Sequence, residues 1–143
     1  MVRLLKFKLF FLILLVFGLM ITSALPSGSQ AADNYFTIDF PGSIYTSAEG
    51  INDAGQIVGT YYYDEDEDMA YSHGFSFSDG SFSTIAFPGA ISTGAGGINN
   101  AGQIVGSYYT GSGIHGFLFS NGSFSTIDFP GSIYTSAEGI NDA

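Results

Sequence analysis

The chain has 143 residues, no cysteine, three Lys and Arg against 13 Asp and Glu, and a formal net charge of −10. This length allows one small domain, and the lack of cysteine excludes disulfides and thiolate metal sites. All the Lys and Arg residues precede position 9, so the rest of the chain is a polyanion, which excludes nucleic acid and anionic lipid as partners.

The N-terminal segment has the pattern of a secretory signal peptide. Residues 1–8 are basic, and residues 9–25 form an apolar run. The small residue Ala31 marks a cleavage site. An uncleaved anchor is the alternative, although the run is shorter than the about 20 residues that span a bilayer. We therefore expect residues 1–31 to be a signal peptide and residues 32–143 to be secreted, periplasmic or displayed at the cell surface.

An internal repeat organises the remainder of the chain. Residues 37–54 read TIDFPGSIYTSAEGINDA, and residues 126–143 repeat these 18 residues without a change. A diverged copy, TIAFPGAISTGAGGINNA, occupies residues 84–101, at offsets of 47 and 42 residues from the other two. Self-similarity of this period indicates a repeat architecture. We expect a partial repeat, two full repeats and a truncated repeat, at residues 35–45, 46–87, 93–129 and 130–143.

Each full repeat is predicted to contain four short strands. In the second one, the segments QIVGSYY (residues 103–109), IHGFLFS (114–120) and SFSTIDF (123–129) are rich in strand-forming residues. Asn121-Gly122, like Asp79-Gly80 one repeat earlier, is a two-residue hairpin sequence. No window after residue 25 shows a helical period, so the predicted fold class is all-β.

The predicted architecture is tandem four-stranded antiparallel repeats of an incomplete β-propeller. Four strands in about 40–45 residues is the period of a propeller blade, and a β-solenoid or stacked-sheet array is the alternative. Gly59 and Gly106, inside the second strand of their repeats, predict the close approach of a neighbouring backbone. Two full repeats are fewer than the about four to eight blades of a propeller. We therefore expect a fragment of a longer protein that either folds poorly alone or self-associates through its end blades.

The repeat resembles a known family. The segment GINNAGQIVGSYYTGSGIHGFLFSNGSFSTIDFPG, residues 97–131, is similar to the extracellular HAF repeat family of bacteria. The family's His-Ala-Phe tripeptide corresponds to residues 73–75 and 115–117, where glycine replaces the alanine. The resemblance implies exported, propeller-like repeats and supplies no catalytic residue.

Paired aromatic and histidine residues are the candidates for ligand binding. Tyr61, Tyr62, Tyr108 and Tyr109 end the second strand of each repeat, where exposed rings could stack on sugars or contact a partner; packing inside the protein is the alternative. His73 and His115 occupy equivalent positions and could act as bases or metal ligands. A general base needs an oriented partner and a nucleophile, and the sequence shows neither.

An acidic run lies in the loop that makes the first full repeat longer than the second. Its residues Asp64, Glu65, Asp66, Glu67 and Asp68 could bind Ca²⁺, which prefers carboxylate oxygens. The run lacks the spacing of a calcium loop, and consecutive acidic residues usually form a solvated loop. Calcium is the one cofactor that the sequence suggests, and no catalytic motif is present.

We therefore expect an exported, non-catalytic β-repeat module that binds a protein or a glycan or presents a surface. The alternative is an accessory β-repeat part of a larger secreted hydrolase or lyase. No nucleic acid partner is expected, and no membrane contact beyond the N-terminal segment.

Overall fold

The computed structural model describes residues 35–66 and 69–143, in which Thr37–Ala143 form one compact unit. The expected signal peptide, residues 1–31, lies outside the described residues. Eight strands follow one another: β1 (Tyr45–Ile51), β2 (Ile57–Asp66), β3 (Met69–Ser78), β4 (Ser81–Ile85), β5 (Ser92–Ile98), β6 (Ile104–Tyr109), β7 (Ile114–Ser120) and β8 (Ser123–Ile127).

The strands form two four-stranded sheets with the same topology. Their orders are β1-β2-β3-β4 and β5-β6-β7-β8, and all neighbours are antiparallel. The all-β prediction and the four-stranded repeat are therefore confirmed. The described part of the chain contains no helix. It therefore contains no helix long and apolar enough to cross a membrane. The two described sheets do not close a ring, so the propeller remains a prediction.

The last hairpin of each sheet forms at the position that the sequence predicts. Asp79-Gly80 connects β3 to β4, and Asn121-Gly122 connects β7 to β8. Asp79 and Asn121 have φ of 51° and 52°, and the glycines have φ of 76° and 75°. Positive φ at both central residues is the conformation that two-residue hairpins favour, because its twist matches that of the strands. These turns fix the register of the β3–β4 and β7–β8 pairs.

The core lies between the two sheets. Val58 and Ile85 from the first sheet pack in one cluster with Ala95, Ile104 and Phe117 from the second. Val58 and Phe117 are fully buried. Burial of apolar side chains contributes roughly 25 cal/mol per Å², so the contact between successive repeats carries much of the stability of each sheet.

Two glycines in the second strands allow a close approach of backbones, as the sequence predicts. A Cβ built on Gly59 would collide with the carbonyl oxygen of Ser47, and one on Gly106 would collide with that of Gly94. Each glycine sits beside a β-bulge in the paired strand, where the register shifts between Ala48 and Gly50 in β1 and at the equivalent place in β5. The first strand of each sheet bends over the second at these positions.

A second set of glycines brings the first strands of successive repeats together. A Cβ on Gly50 would lie 3.2 Å from the Cα of Gly97, and a Cβ on Gly97 would lie 3.2 Å from the Cα of Gly139. These glycines open the Gly-Ile-Asn motif of each repeat. At Gly50 and Gly97 the motif therefore has a packing role, because a Cβ there would be closer to the neighbouring repeat than an ordinary van der Waals contact.

The third copy of the repeat sequence lies along the second sheet. The Ile114 amide donates to the Ile133 carbonyl at 3.1 Å, and the Thr135 amide donates to the Ile114 carbonyl at 2.8 Å. Further along, the Glu138 carbonyl and the Gly139 Cα lie against Gly97. At its Gly-Ile-Asn motif this segment thus meets the second sheet as β5 meets the first.

Candidate functional site

A groove of about 250 Å³ lies where the two sheets meet. Tyr62 of β2 and Tyr109 of β6, which occupy the same position in successive repeats, both line it. Its accessible polar side chains are hydroxyls, supplied by Thr60, Ser72, Ser92 and Ser107. Thr93 also borders the groove, but it is 2% exposed, and its hydroxyl accepts a hydrogen bond from the Phe87 amide. Because each sheet contributes one of the two tyrosines, the groove exists only where one repeat packs on the next.

Strand alternation divides the four candidate tyrosines into two pairs. Tyr61 and Tyr108 are each 7% exposed, and their hydroxyls pair with Thr84 at 3.2 Å and Thr126 at 2.9 Å. Each also stacks on a phenylalanine that precedes the first strand of its repeat. Both rings pack in the interior with their hydroxyls hydrogen-bonded, and Tyr108 also forms part of the groove wall.

The other two tyrosines, which occupy equivalent positions in the two repeats, are both among the residues that line the groove. Tyr62 meets Tyr45 across the strand pair, edge to face at a centroid distance of 5.6 Å. Tyr109 is 40% exposed, and its hydroxyl donates to the Gly111 carbonyl at 3.2 Å. Both rings are therefore held by neighbours while part of their surface stays accessible to a ligand.

The same seam continues into a groove of about 230 Å³ that carries negative charge. Glu49 and Glu138 line it, together with the hydroxyls of Thr60, Ser107 and Ser136. Ser47 donates to the Glu49 carboxylate at 2.6 Å, and Ser136 donates to that of Glu138 at 2.5 Å. With no Lys or Arg after position 8, the seam suits neutral or cationic ligands.

The two histidines have different partners. His115 Nδ1 lies 2.9 Å from the Asp128 carboxylate, whereas His73 Nε2 lies 2.9 Å from the Tyr63 hydroxyl. Ala86 stands in the first repeat where Asp128 stands in the second, and His73 Nδ1 is buried without a hydrogen-bond partner among the described residues.

An aspartate oriented on a histidine is one part of a nucleophilic triad. The hydrogen bonds of the described residues show His115 bonded to Asp128 and to no hydroxyl nucleophile. The pair thus has the geometry of a cross-strand structural contact between β7 and the end of β8. Catalysis by either histidine stays a hypothesis, because the hydrogen bonds of the described residues join neither ring to a serine or threonine hydroxyl.

A ladder of Asn and Asp side chains, which the sequence did not predict, joins the repeats at one edge. Asn52 Nδ2 donates to the Asn99 carbonyl at 3.1 Å, and Asn99 Nδ2 donates to the Asn141 carbonyl at 3.1 Å. Asn100 Nδ2 donates to Asp53 at 2.8 Å and to Asp142 at 2.7 Å. The repetition of Asn-[Asp/Asn]-Ala in all three copies is the sequence signal for this contact.

The calcium candidate cannot be placed in full. Glu67 and Asp68 lie outside the described residues, as do the side chains of Asp64, Glu65 and Asp66, whose backbone ends β2. Across the part of the chain that the structure describes, no group of three or more His, Asp or Glu side chains is arranged to hold a metal ion. Calcium binding by this run therefore stays a prediction.

Comparisons with protein-family models, with curated proteins and with solved structures found no match for this chain.

Proposed function

We propose that this chain is an exported, non-catalytic β-repeat module that binds a neutral glycan in the groove between its two sheets. The pattern of residues 1–31 supports export. The motifs of the two full repeats support membership of the extracellular HAF repeat family and a propeller-like arrangement of the sheets.

The observation that carries the proposal is that Tyr62 and Tyr109 line one groove together with four accessible hydroxyl side chains, those of Thr60, Ser72, Ser92 and Ser107. An aromatic ring offers an apolar face and a polar tip, which suits the apolar C–H face and the hydroxyls of a sugar. Serine and threonine hydroxyls both donate and accept hydrogen bonds, so they can match sugar hydroxyls in either sense.

Charge narrows the class of glycan. The adjoining groove carries Glu49 and Glu138, and the described residues include neither Lys nor Arg. Sulfated, phosphorylated or uronic acid sugars would meet carboxylates without a compensating cation. Neutral or amino sugars meet no such repulsion, and they are the class of ligand to test first.

The test is a glycan array with the full chain, followed by calorimetric titration of the best neutral oligosaccharide. We expect Tyr62→Ala and Tyr109→Ala each to lower the affinity at least tenfold, which corresponds to about 1.4 kcal/mol. Ile51→Ala is the control, because Ile51 is exposed and does not line this groove. Absence of binding to every neutral glycan, or binding that both tyrosine variants retain, would overturn the proposal.

A further inference from the structure

The groove of about 230 Å³ that contains Glu49 and Glu138, which we call the acidic groove, is opened by two glycines of the diverged repeat copy. Gly94 and Gly96 stand where both other copies have Ser and Glu. Neither glycine has a positive φ, so the backbone conformation does not itself require glycine. A Cβ on Gly94 would lie 3.0 Å from Thr60 Oγ1, so a side chain at position 94 would occupy part of the groove.

Two carboxylates from different copies of the repeat line the acidic groove. Those of Glu49 and Glu138 each accept a hydrogen bond from the serine two residues earlier, at 2.6 Å and 2.5 Å. The ion pair among the described residues joins His115 to Asp128 and includes neither glutamate, and no Lys or Arg follows position 8. An ionised carboxylate has about four acceptor sites, so each glutamate can accept further hydrogen bonds from a cationic ligand.

The acidic groove adjoins the groove of Tyr62 and Tyr109, which we call the tyrosine groove. Thr60, Gly94 and Ser107 line both grooves, so the two share a wall and one ligand can extend from the first into the second. The two hydroxyls at this junction both donate and accept hydrogen bonds. A sugar ring against the tyrosines would therefore direct the next sugar of the same chain towards the glutamates.

We infer that the acidic groove is an ammonium subsite, so that the module prefers an oligosaccharide with a free amino sugar to its neutral counterpart. This inference rests on the proposed glycan-binding function and specifies the ligand. An ammonium group donates three hydrogen bonds and accepts none, which suits a groove that contains two carboxylates. A sugar hydroxyl in its place carries no charge and gains no Coulombic attraction.

The first test compares cellotetraose, a neutral glucose tetramer, with the glucosamine tetramer of the same linkage, in which an amino group replaces one hydroxyl of each sugar. Calorimetric titration of the full chain is done at about pH 6, where carboxylic acids are ionised and amino sugars are largely protonated. We expect the glucosamine tetramer to bind at least tenfold more tightly at low salt, and high salt to reduce this preference.

Equal affinities for the two tetramers, or tighter binding of cellotetraose, would overturn the ammonium subsite and leave the proposed glycan groove standing. Binding of neither tetramer would also overturn the subsite, whereas the glycan array would still decide the proposed function.

The second test asks whether the two glutamates cause the preference. Glu49→Gln and Glu138→Gln keep an acceptor for the serine and remove the charge. We expect each to lower the affinity for the glucosamine tetramer about threefold and the double variant about tenfold, with the affinity for cellotetraose unchanged. Asp39→Asn combined with Asp79→Asn is the net-charge control, because these aspartates line neither groove. An equal loss in the control would show general attraction to an acidic chain and overturn the inference.

The third test concerns the wall that the two grooves share. Gly94→Ser introduces the residue of the other two copies at the junction, and we expect it to lower the affinity for the glucosamine tetramer at least threefold while the near-UV circular dichroism stays unchanged. Gly139→Ala is the control, because a Cβ there meets nothing within 4 Å and Gly139 lines neither groove. Unchanged affinity in folded Gly94→Ser would contradict a ligand that crosses the junction.

Discussion

Phe87 lies flat on Tyr108, with ring centroids 3.6 Å apart and ring planes 4° from parallel. Phe40 and Tyr61 repeat this contact one repeat earlier, at 3.6 Å and 2°. In both repeats the phenylalanine comes from the segment before the first strand and the tyrosine from the second strand. The stack therefore packs a phenylalanine from the segment before each sheet against the second strand of that sheet.

Removing one of these stacks should destabilise the fold. Phe87→Ala leaves a cavity beside Tyr108, Phe117 and Phe124, and we expect the free energy of unfolding to fall by about 3 kcal/mol. Ile133→Ala is the control, because Ile133 is 81% exposed, and it should change stability by less than about 0.5 kcal/mol. Urea denaturation followed by near-UV circular dichroism measures both, and a similar loss in the two variants would contradict the role of the stack.

The glycine inside β6 should tolerate no side chain. A Cβ at position 106 would collide with the Gly94 carbonyl oxygen and lie 2.9 Å from the ring of Phe117, so we expect Gly106→Ala to cost about 1–3 kcal/mol or more. Gly139→Ala is the matched control, since a Cβ there meets nothing within 4 Å. Thermal melts at low protein concentration compare them. Equal melting temperatures would show that the bulge beside Gly106 relaxes freely.

Asn100→Asp should make stability depend on pH. Asn100 now donates to two carboxylates, those of Asp53 and Asp142, and the substitution places a third carboxyl group between them. Two neighbouring negative charges raise the pKa of the introduced group, so its destabilising effect is smallest below about pH 4 and grows as pH rises through that pKa. We expect a loss of about 1 kcal/mol at pH 7, reduced by salt.

The control for that prediction is Asn100→Ala, which adds no charge and removes the two hydrogen bonds that Asn100 donates together with the one that its Oδ1 accepts from the Asp53 amide. Its loss of stability should vary little between pH 4 and pH 7, about the range in which carboxylates ionise. Urea denaturation at both pH values separates the two variants. The same pH dependence in both would show that charge at this position has no effect.

His73 Nδ1, which has no hydrogen-bond partner among the described residues, should gain one when a carboxylate is introduced at position 86. Ala86→Asp copies the Asp128 position of the second repeat, where the carboxylate lies 2.9 Å from His115 Nδ1, and we expect a gain of about 0.5–1.5 kcal/mol in the free energy of unfolding. Asp128→Ala makes the reverse change in the second repeat and should lower stability. Nitrogen NMR of the imidazoles reports whether Nδ1 gains a hydrogen bond, and an unchanged His73 signal in Ala86→Asp would contradict the prediction.

Several features follow from the sequence because they depend on local chemistry. The Asn121-Gly122 turn adopts positive φ, since those residues do so at low cost. The predicted strand at residues 114–120 coincides with β7, whereas that at residues 123–129 ends earlier, at Ile127. Phe129 lies past the strand because Pro130 cannot donate to a sheet ladder and the segment turns there.

Other features depend on which residues meet across the repeats. The candidate tyrosines Tyr61 and Tyr62 are adjacent in sequence, and alternation predicts that they face opposite sides. Only packing shows that Tyr61 faces the interior and that Tyr62 lines the groove. Alignment of the two repeats could have predicted that His115 has an aspartate partner and His73 has none, because Ala86 stands where the second repeat has Asp128. The hydrogen bond between Tyr63 and His73 could not have been predicted in this way.

The amino-acid sequence by itself determined the all-β class, the four-strand unit, the hairpin turns and the duplicated 18-residue segment, because strand propensity and turn chemistry act over a few residues. The tertiary structure alone decided that the asparagines form a ladder and that two tyrosines from different repeats share a groove. These relationships join residues about one repeat apart, and the register that brings such residues together is set by the packing of whole sheets.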